Sequence, residues 1–126
     1  MSDSDEMKPP DDTGVSGRRL WASVVAEYEL EEHELALLRE MVRTVDLLDS
    51  LNDAVYADGL MVSGPGLQQR VHPAAIEARQ QKIALARLAA ALRLPAGEED
   101  DTQKGARRPQ RRVGARGVYG IRGVVS

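Results

Sequence analysis

A chain of 126 residues has room for one domain, and 42% hydrophobic but only 3% aromatic content limits that domain to a small core. With no cysteine, disulfides and thiolate metal sites are excluded, and no apolar run reaches the ~20 residues that a membrane-spanning helix needs. The formal net charge of −3 conceals a segregation: residues 18–58 carry ten acids against four arginines, whereas residues 104–126 carry seven basic groups and no acid. Such a chain is expected to meet a charged partner through one end, or copies of itself acid to base.

Residues 1–16 are polar and acidic, are broken by Pro9, Pro10 and Gly14, and lack the basic start and apolar stretch of a signal peptide. They are expected to be a disordered tail on a soluble, intracellular protein. From Gly17, "GRRLWASVVAEYEL" places Leu20, Trp21, Val24, Val25 and Tyr28 at helical spacing, which predicts a first helix of about three turns. The acids of "ELEEHE" then gather where a second helix begins, next to the positive end of its dipole. From Glu32 to Tyr56, Leu35, Leu38, Val42, Val45, Leu48, Leu51 and Val55 recur at steps of three or four, with Asp58 and Gly59 as the stop.

"LMV" (60–62), the turn signal "SGPG" and "LQQRV" (67–71) predict a small antiparallel hairpin, and Pro73 suits the first turn of a third helix. That helix carries Ile76, Ile83, Ala86 and Ala90 on one side and Leu85, Leu88 and Leu92 on another, and Pro95 and Gly97 are expected to stop it. The fold class is therefore mainly α: a helical core over residues 17–97, with three helices and a small β-hairpin before the third. A disordered N-terminal tail (1–16) and a flexible, acidic-then-basic C-terminal tail (98–126) flank it. Apolar residues on more than one side of the second and third helices exceed what so small a monomer covers, so self-association is expected.

His72 invites a chemical role, yet the other histidine, His33, is far away in an acidic helix start, and no HxxxH or HExxH spacing exists. Closing the hairpin ahead of the third helix is the favoured role. Asp46, Asp49 and Asp53 share a helical face and have the chemistry to hold a divalent ion, but nothing near them in sequence resembles a catalytic partner, which favours a solvated acidic face. "GPG" lacks phosphate-loop spacing, and Ser63 lacks a nucleophile-elbow context. No catalytic residue, metal site or cofactor is expected.

The tail "KGARRPQRRVGARGVYGIRGVVS" spaces Lys104, Arg107, Arg108, Arg111, Arg112, Arg116 and Arg122 with small residues, and Tyr119 adds a stacking group. Arginine's planar fork suits phosphate oxygens, so the tail is a candidate DNA contact. The alternatives are a solubilising tail, one that folds back on the acidic second helix, or a partner peptide at its apolar end. On the third helix Arg79 and Lys82 lie one turn apart, accompanied by Arg87 and Arg93. They are placed either for a groove or tunnel wall that touches DNA, or for pairing with an acidic helix of a neighbouring subunit.

The succession "GRRLW", then "ELALLREMVRTVDLLDSL", then "DGLMVSGPGLQQRVHPAAIEARQQKIALARLAAALRLP" resembles the small terminase subunits of tailed double-stranded DNA phages over about residues 17–95. The resemblance implies a non-enzymatic component of viral genome packaging in the host cytoplasm. Such subunits assemble as homo-oligomeric rings, recognise viral double-stranded DNA and regulate the large terminase subunit, which carries the ATPase and nuclease. It assigns Gly64, Gly66, His72 and Pro73 to the family's structural hairpin and helix start. The family often closes with Leu-Gly-Leu where this chain has "LRLP", and the tail beyond Gly97 is not covered, so DNA on that tail is inferred from charge alone. The competing function is a helical oligomeric adaptor, of head-completion or scaffold type, that binds only protein through its tail. A small metal-dependent nuclease built on Asp46, Asp49 and Asp53 is the enzymatic alternative.

Overall fold

The computed structural model describes residues 8–94 and 109–112. Three helices carry the fold: α1, Val15–Glu27; α2, Glu32–Asp58; and α3, Pro73–Leu92. A hairpin of β2, Met61–Ser63, and β3, Gln69–Val71, separates α2 from α3, so the chain is mainly helical with one small hairpin, as its pattern predicts.

The ordered chain begins earlier than expected. The composition of residues 8–16 predicts a disordered tail, but Thr13 is buried with its hydroxyl on the Pro10 carbonyl, and α1 starts at Val15 rather than Gly17. The physical cause lies across the fold. Gly14, the residue that precedes α1, has no side chain to cap the helix, and the Asp46 carboxylate of α2 supplies the acceptors instead. The Gly14 amide donates to Asp46 Oδ2 at 2.7 Å and the Gly17 amide to Oδ1 at 2.8 Å, while the Ser16 hydroxyl donates to Asp49. Two orphan amides and the positive end of a helix dipole thus meet one carboxylate. The approach is close enough to need glycine: a Cβ on Gly17 would lie 2.4 Å from Asp46 Oδ2 and 2.7 Å from Val42 Cγ1. Residues 1–7 lie outside the described residues.

Tyr28, expected within the first helix, is extended instead. Its amide closes α1 on Val24 and its backbone then forms β1, Tyr28–Glu29. The strand pairs antiparallel with β4, Gln110–Arg111, a partner from the C-terminal region that local pattern did not reveal. The second helix starts with a capping box, in which the Glu31 side chain accepts from the Glu34 amide and the Glu31 amide donates to Glu34 Oε1 at 2.8 Å. At 27 residues it is about 40 Å long and ends at Gly59, whose φ of 88° is disfavoured for a side chain with a Cβ.

The core sits toward one end. Trp21, Val24 and Tyr28 pack against Leu35, Leu38, Met41 and Val42 of α2 and Leu92 of α3. Leu85 and Leu88 extend that contact, whereas Ile76 and Ile83, on the other side of α3, are exposed. The third helix ends with Arg93 in a left-handed conformation, its amide on the Ala89 carbonyl; the expected stops Pro95 and Gly97 lie outside the described residues.

Candidate nucleic-acid and assembly surfaces

The hairpin closes through His72. Its amide donates to the Leu60 carbonyl at 2.7 Å, bringing the chain back beside the end of α2. Its ring then works at both nitrogens. Nδ1 accepts from the Ala74 amide at 3.0 Å and so caps α3, and Nε2 faces Asp58 Oδ2 at 2.9 Å. An accepting Nδ1 puts the ring proton on Nε2, so the imidazole donates to Asp58. The side chain is 13% exposed, and in this arrangement both nitrogens are engaged in structure. Pro73 occupies the first turn of α3, where a missing amide hydrogen costs nothing. At the tip, Gly66 has φ 74° and Leu67 φ 68°, two successive left-handed residues, and the Gly64 amide closes the loop on the Gln68 carbonyl at 2.6 Å. Gly66 suits that conformation; Leu67, 87% exposed, does not.

The acids of α2 are mostly matched within the chain. Glu32 pairs with Arg39 at 3.4 Å, Glu40 with Arg43 at 2.6 Å, and Asp58 with His72. With Asp46 and Asp49 engaged at the start of α1, the trio that included Asp53 is divided between helix capping and solvent. Among the described residues no group of three or more histidine or carboxylate side chains is arranged to hold a metal ion, and no helix of the described residues is long and apolar enough to cross a membrane.

The basic residues of α3 have a different setting. Arg79, Lys82 and Arg87 are exposed, and among the described residues no carboxylate pairs with them. Arg87 follows Ile83 one turn on along the line of Ile76 and Ile83, and Arg79 and Lys82 lie to one side of that line, so the outward side of this helix carries exposed apolar and cationic groups together. At the same end of the molecule Leu60, Met61, Leu67 and Val71 are exposed, Met61 and Val71 standing opposite each other across the hairpin.

Two of the seven tail cations fall within the described residues, and both rest on the core rather than in solvent. Arg111 stands opposite Tyr28 across the β1–β4 pair. Its guanidinium lies 5.6 Å from the Tyr28 ring centroid and 3.6 Å from Glu27 Oε2. The Arg112 amide donates to the Glu27 carbonyl at 2.7 Å, and its Nε donates to the Val25 carbonyl. Pro109, just before the strand, is buried. The expected alternative of a tail folded on the acidic second helix therefore has a counterpart at a different place, the end of α1. Lys104, Arg107, Arg108, Arg116, Arg122 and Tyr119 lie outside the described residues. Pro109, whose fixed φ favours extended chain, is the one sequence signal for this docking. In comparisons with models of protein families, with curated proteins and with solved structures, nothing matches this chain.

Proposed function

We propose that this protein is a small terminase subunit: a non-catalytic DNA-recognition and regulatory component of a phage packaging motor, which assembles as a ring and acts on a large ATPase and nuclease subunit. The observation that carries the reading is the outward side of α3. Arg79, Lys82 and Arg87 are exposed cations without carboxylate partners among the described residues, on a helix whose exposed Ile76 and Ile83 call for cover. Unmatched arginine and lysine beside apolar surface is what a protein needs in order to neutralise phosphates and contact copies of itself together. The resemblance over residues 17–95 supplies the motor, and the capping role of His72 agrees with a hairpin used as architecture.

The test is the salt dependence of binding to a fluorescent DNA duplex, for the natural chain and for Arg79→Gln/Lys82→Gln/Arg87→Gln. If all three touch phosphates, the slope of log affinity against log salt falls by roughly 2.7, at about 0.9 per phosphate contact. A natural chain that ignores duplex at low salt, where phosphate contacts are strongest, overturns the reading. The adaptor that binds protein alone then takes its place. One observation favours that second function: Arg111 and Arg112 already sit on protein groups.

A further inference from the structure

We propose that the corner formed by the last turn of α1 and β1, Val25 to Glu29, is a binding site for the extended segment Pro109–Arg112, and that a nucleic-acid phosphate backbone competes with this corner for Arg111 and Arg112. The segment is a latch that DNA binding releases. The inference rests on the DNA-binding function proposed above.

The contacts define the site. Buried Pro109 anchors the segment and brings no amide hydrogen that needs a partner. Gln110 and Arg111 add an antiparallel strand to Glu29 and Tyr28, and the Arg112 amide continues the ladder onto the Glu27 carbonyl. Both arginine heads are then taken up, that of Arg112 on the Val25 carbonyl and that of Arg111 between Glu27 and the face of Tyr28. These are the same N–H donors that a phosphate would engage. With its Nε–H on the Val25 carbonyl, Arg112 has lost one arm of its side-on fork, and Arg111, placed between Glu27 and the Tyr28 ring, is held on the core at the end of α1, so a phosphate must draw both from these contacts to engage them fully.

The hold is also of a releasable kind. Two paired residues make a strand that is marginal by itself. The Arg111–Glu27 pair is about one-third exposed on each side, 34% and 36%, so solvent screens it. A duplex offers these arginines closely spaced phosphates whose condensed counterions are released on contact, an entropic gain that the corner does not provide. The docked segment removes two of the seven tail cations from the charge a duplex meets, and release returns them.

The sequence allows a direct test, because the chain has no native cysteine. Glu29 and Gln110 are directly opposed and exposed. Opposed strand positions have Cα atoms about 5.5 Å apart, within the range a disulfide spans. The full-length Glu29→Cys/Gln110→Cys protein is titrated with a fluorescent duplex in oxidised and reduced forms, each with and without Arg111→Gln/Arg112→Gln. The latch predicts that reduction tightens binding by about ten-fold or more and steepens the salt slope by about 1.8, two phosphates at ~0.9 each. It also predicts that the arginine substitutions weaken the reduced form and leave the oxidised form unchanged. Equal affinities of the two forms, with duplex still bound, overturn the latch and leave DNA binding standing. Equal losses on arginine substitution in both forms overturn it too, since the locked arginines would then be reaching phosphate. Disulfides that form between chains instead of within one overturn the docking in cis. If neither form nor the natural chain binds duplex at low salt, the DNA-binding function fails and the latch fails with it.

Discussion

The two ends of this molecule are built to different rules. Where α1 crosses the first half of α2, Trp21, Leu38, Val42 and Leu92 are almost wholly buried, and the start of α1 is tied to α2 by the Asp46 carboxylate. Where α2 ends and the hairpin turns into α3, the buried positions are mainly small, Ala74 and Ala78, while Tyr56, Leu60, Met61, Leu67, Val71 and Ile76 remain exposed. The first end buries most of its large apolar side chains, Val15 at the start of α1 being the exposed exception; the second presents large apolar side chains at its exposed edge. The hydrophobic residues are unevenly distributed, with the buried core at one end and exposed apolar side chains at the other, where the proposed assembly would find its contact surface.

The comparison can be broken first at the closed end. Asp46 accepts two backbone amides, and hydrogen bonds to a charged group contribute about 1.5–3 kcal/mol each, with partial replacement by water on removal. Asp46→Ala is therefore expected to lower unfolding stability by about 3 kcal/mol, and Asp46→Asn, which keeps one acceptor oxygen, by roughly half of that. Urea unfolding reads the size of the loss. Hydrogen exchange reads its place: faster exchange at the Gly14 and Gly17 amides with the hairpin unchanged is the expected pattern. A loss below about 1 kcal/mol would mean that water replaces the carboxylate without cost and that the two ends are held by similar means.

A smaller effect is expected at the junction. His72→Ala removes both the α3 cap and the bond to Asp58, at a cost of about 1–2 kcal/mol. His72→Asn, whose side-chain oxygen also accepts from a helix amide, is expected to recover much of it. A ring acting in chemistry would instead leave stability unchanged when replaced, and the same urea experiment separates the two.

These two residues also show what was legible in the sequence. The place of His72 was readable because everything that fixes it is local: a glycine turn before it, a proline after it, and a helical pattern that starts there. The same holds for α2 and for α3, whose start at Pro73 was expected, because periodicity over many residues is a strong signal. Asp46 was not readable. On the sequence it is one of several acids on a helical face, and only the packing of α1 against α2 brings it to Gly14 and Gly17. The ordering of residues 8–16 was missed for the same reason, since a polar stretch becomes ordered when a partner from elsewhere satisfies its amides. For Arg111 and Arg112 the sequence supports no more than a general fold-back of the tail. A two-residue strand carries no periodicity, and its partner Tyr28 reads as the last residue of a helix.

The smallest expected effect on stability tests the open end most sharply. Leu67 is held at φ 68°, a conformation that costs a residue with a Cβ roughly 1–2 kcal/mol, and at 87% exposure its side chain gains little from its own chain in return. Glycine relieves that strain and gives back ~0.5–1 kcal/mol through the greater freedom of the unfolded chain. Leu67→Gly should accordingly leave monomer stability equal or raise it by up to about 1 kcal/mol. If the chain forms the proposed ring and the open end is its contact surface, the same change should shrink the assembly, read by native mass spectrometry as a shift to smaller species. Strain maintained at an exposed leucine would then have its explanation in a neighbouring subunit. An assembly of unchanged mass would remove Leu67 from the contact and leave the α3 side, with Ile76 and Ile83, as the candidate contact of the proposed ring.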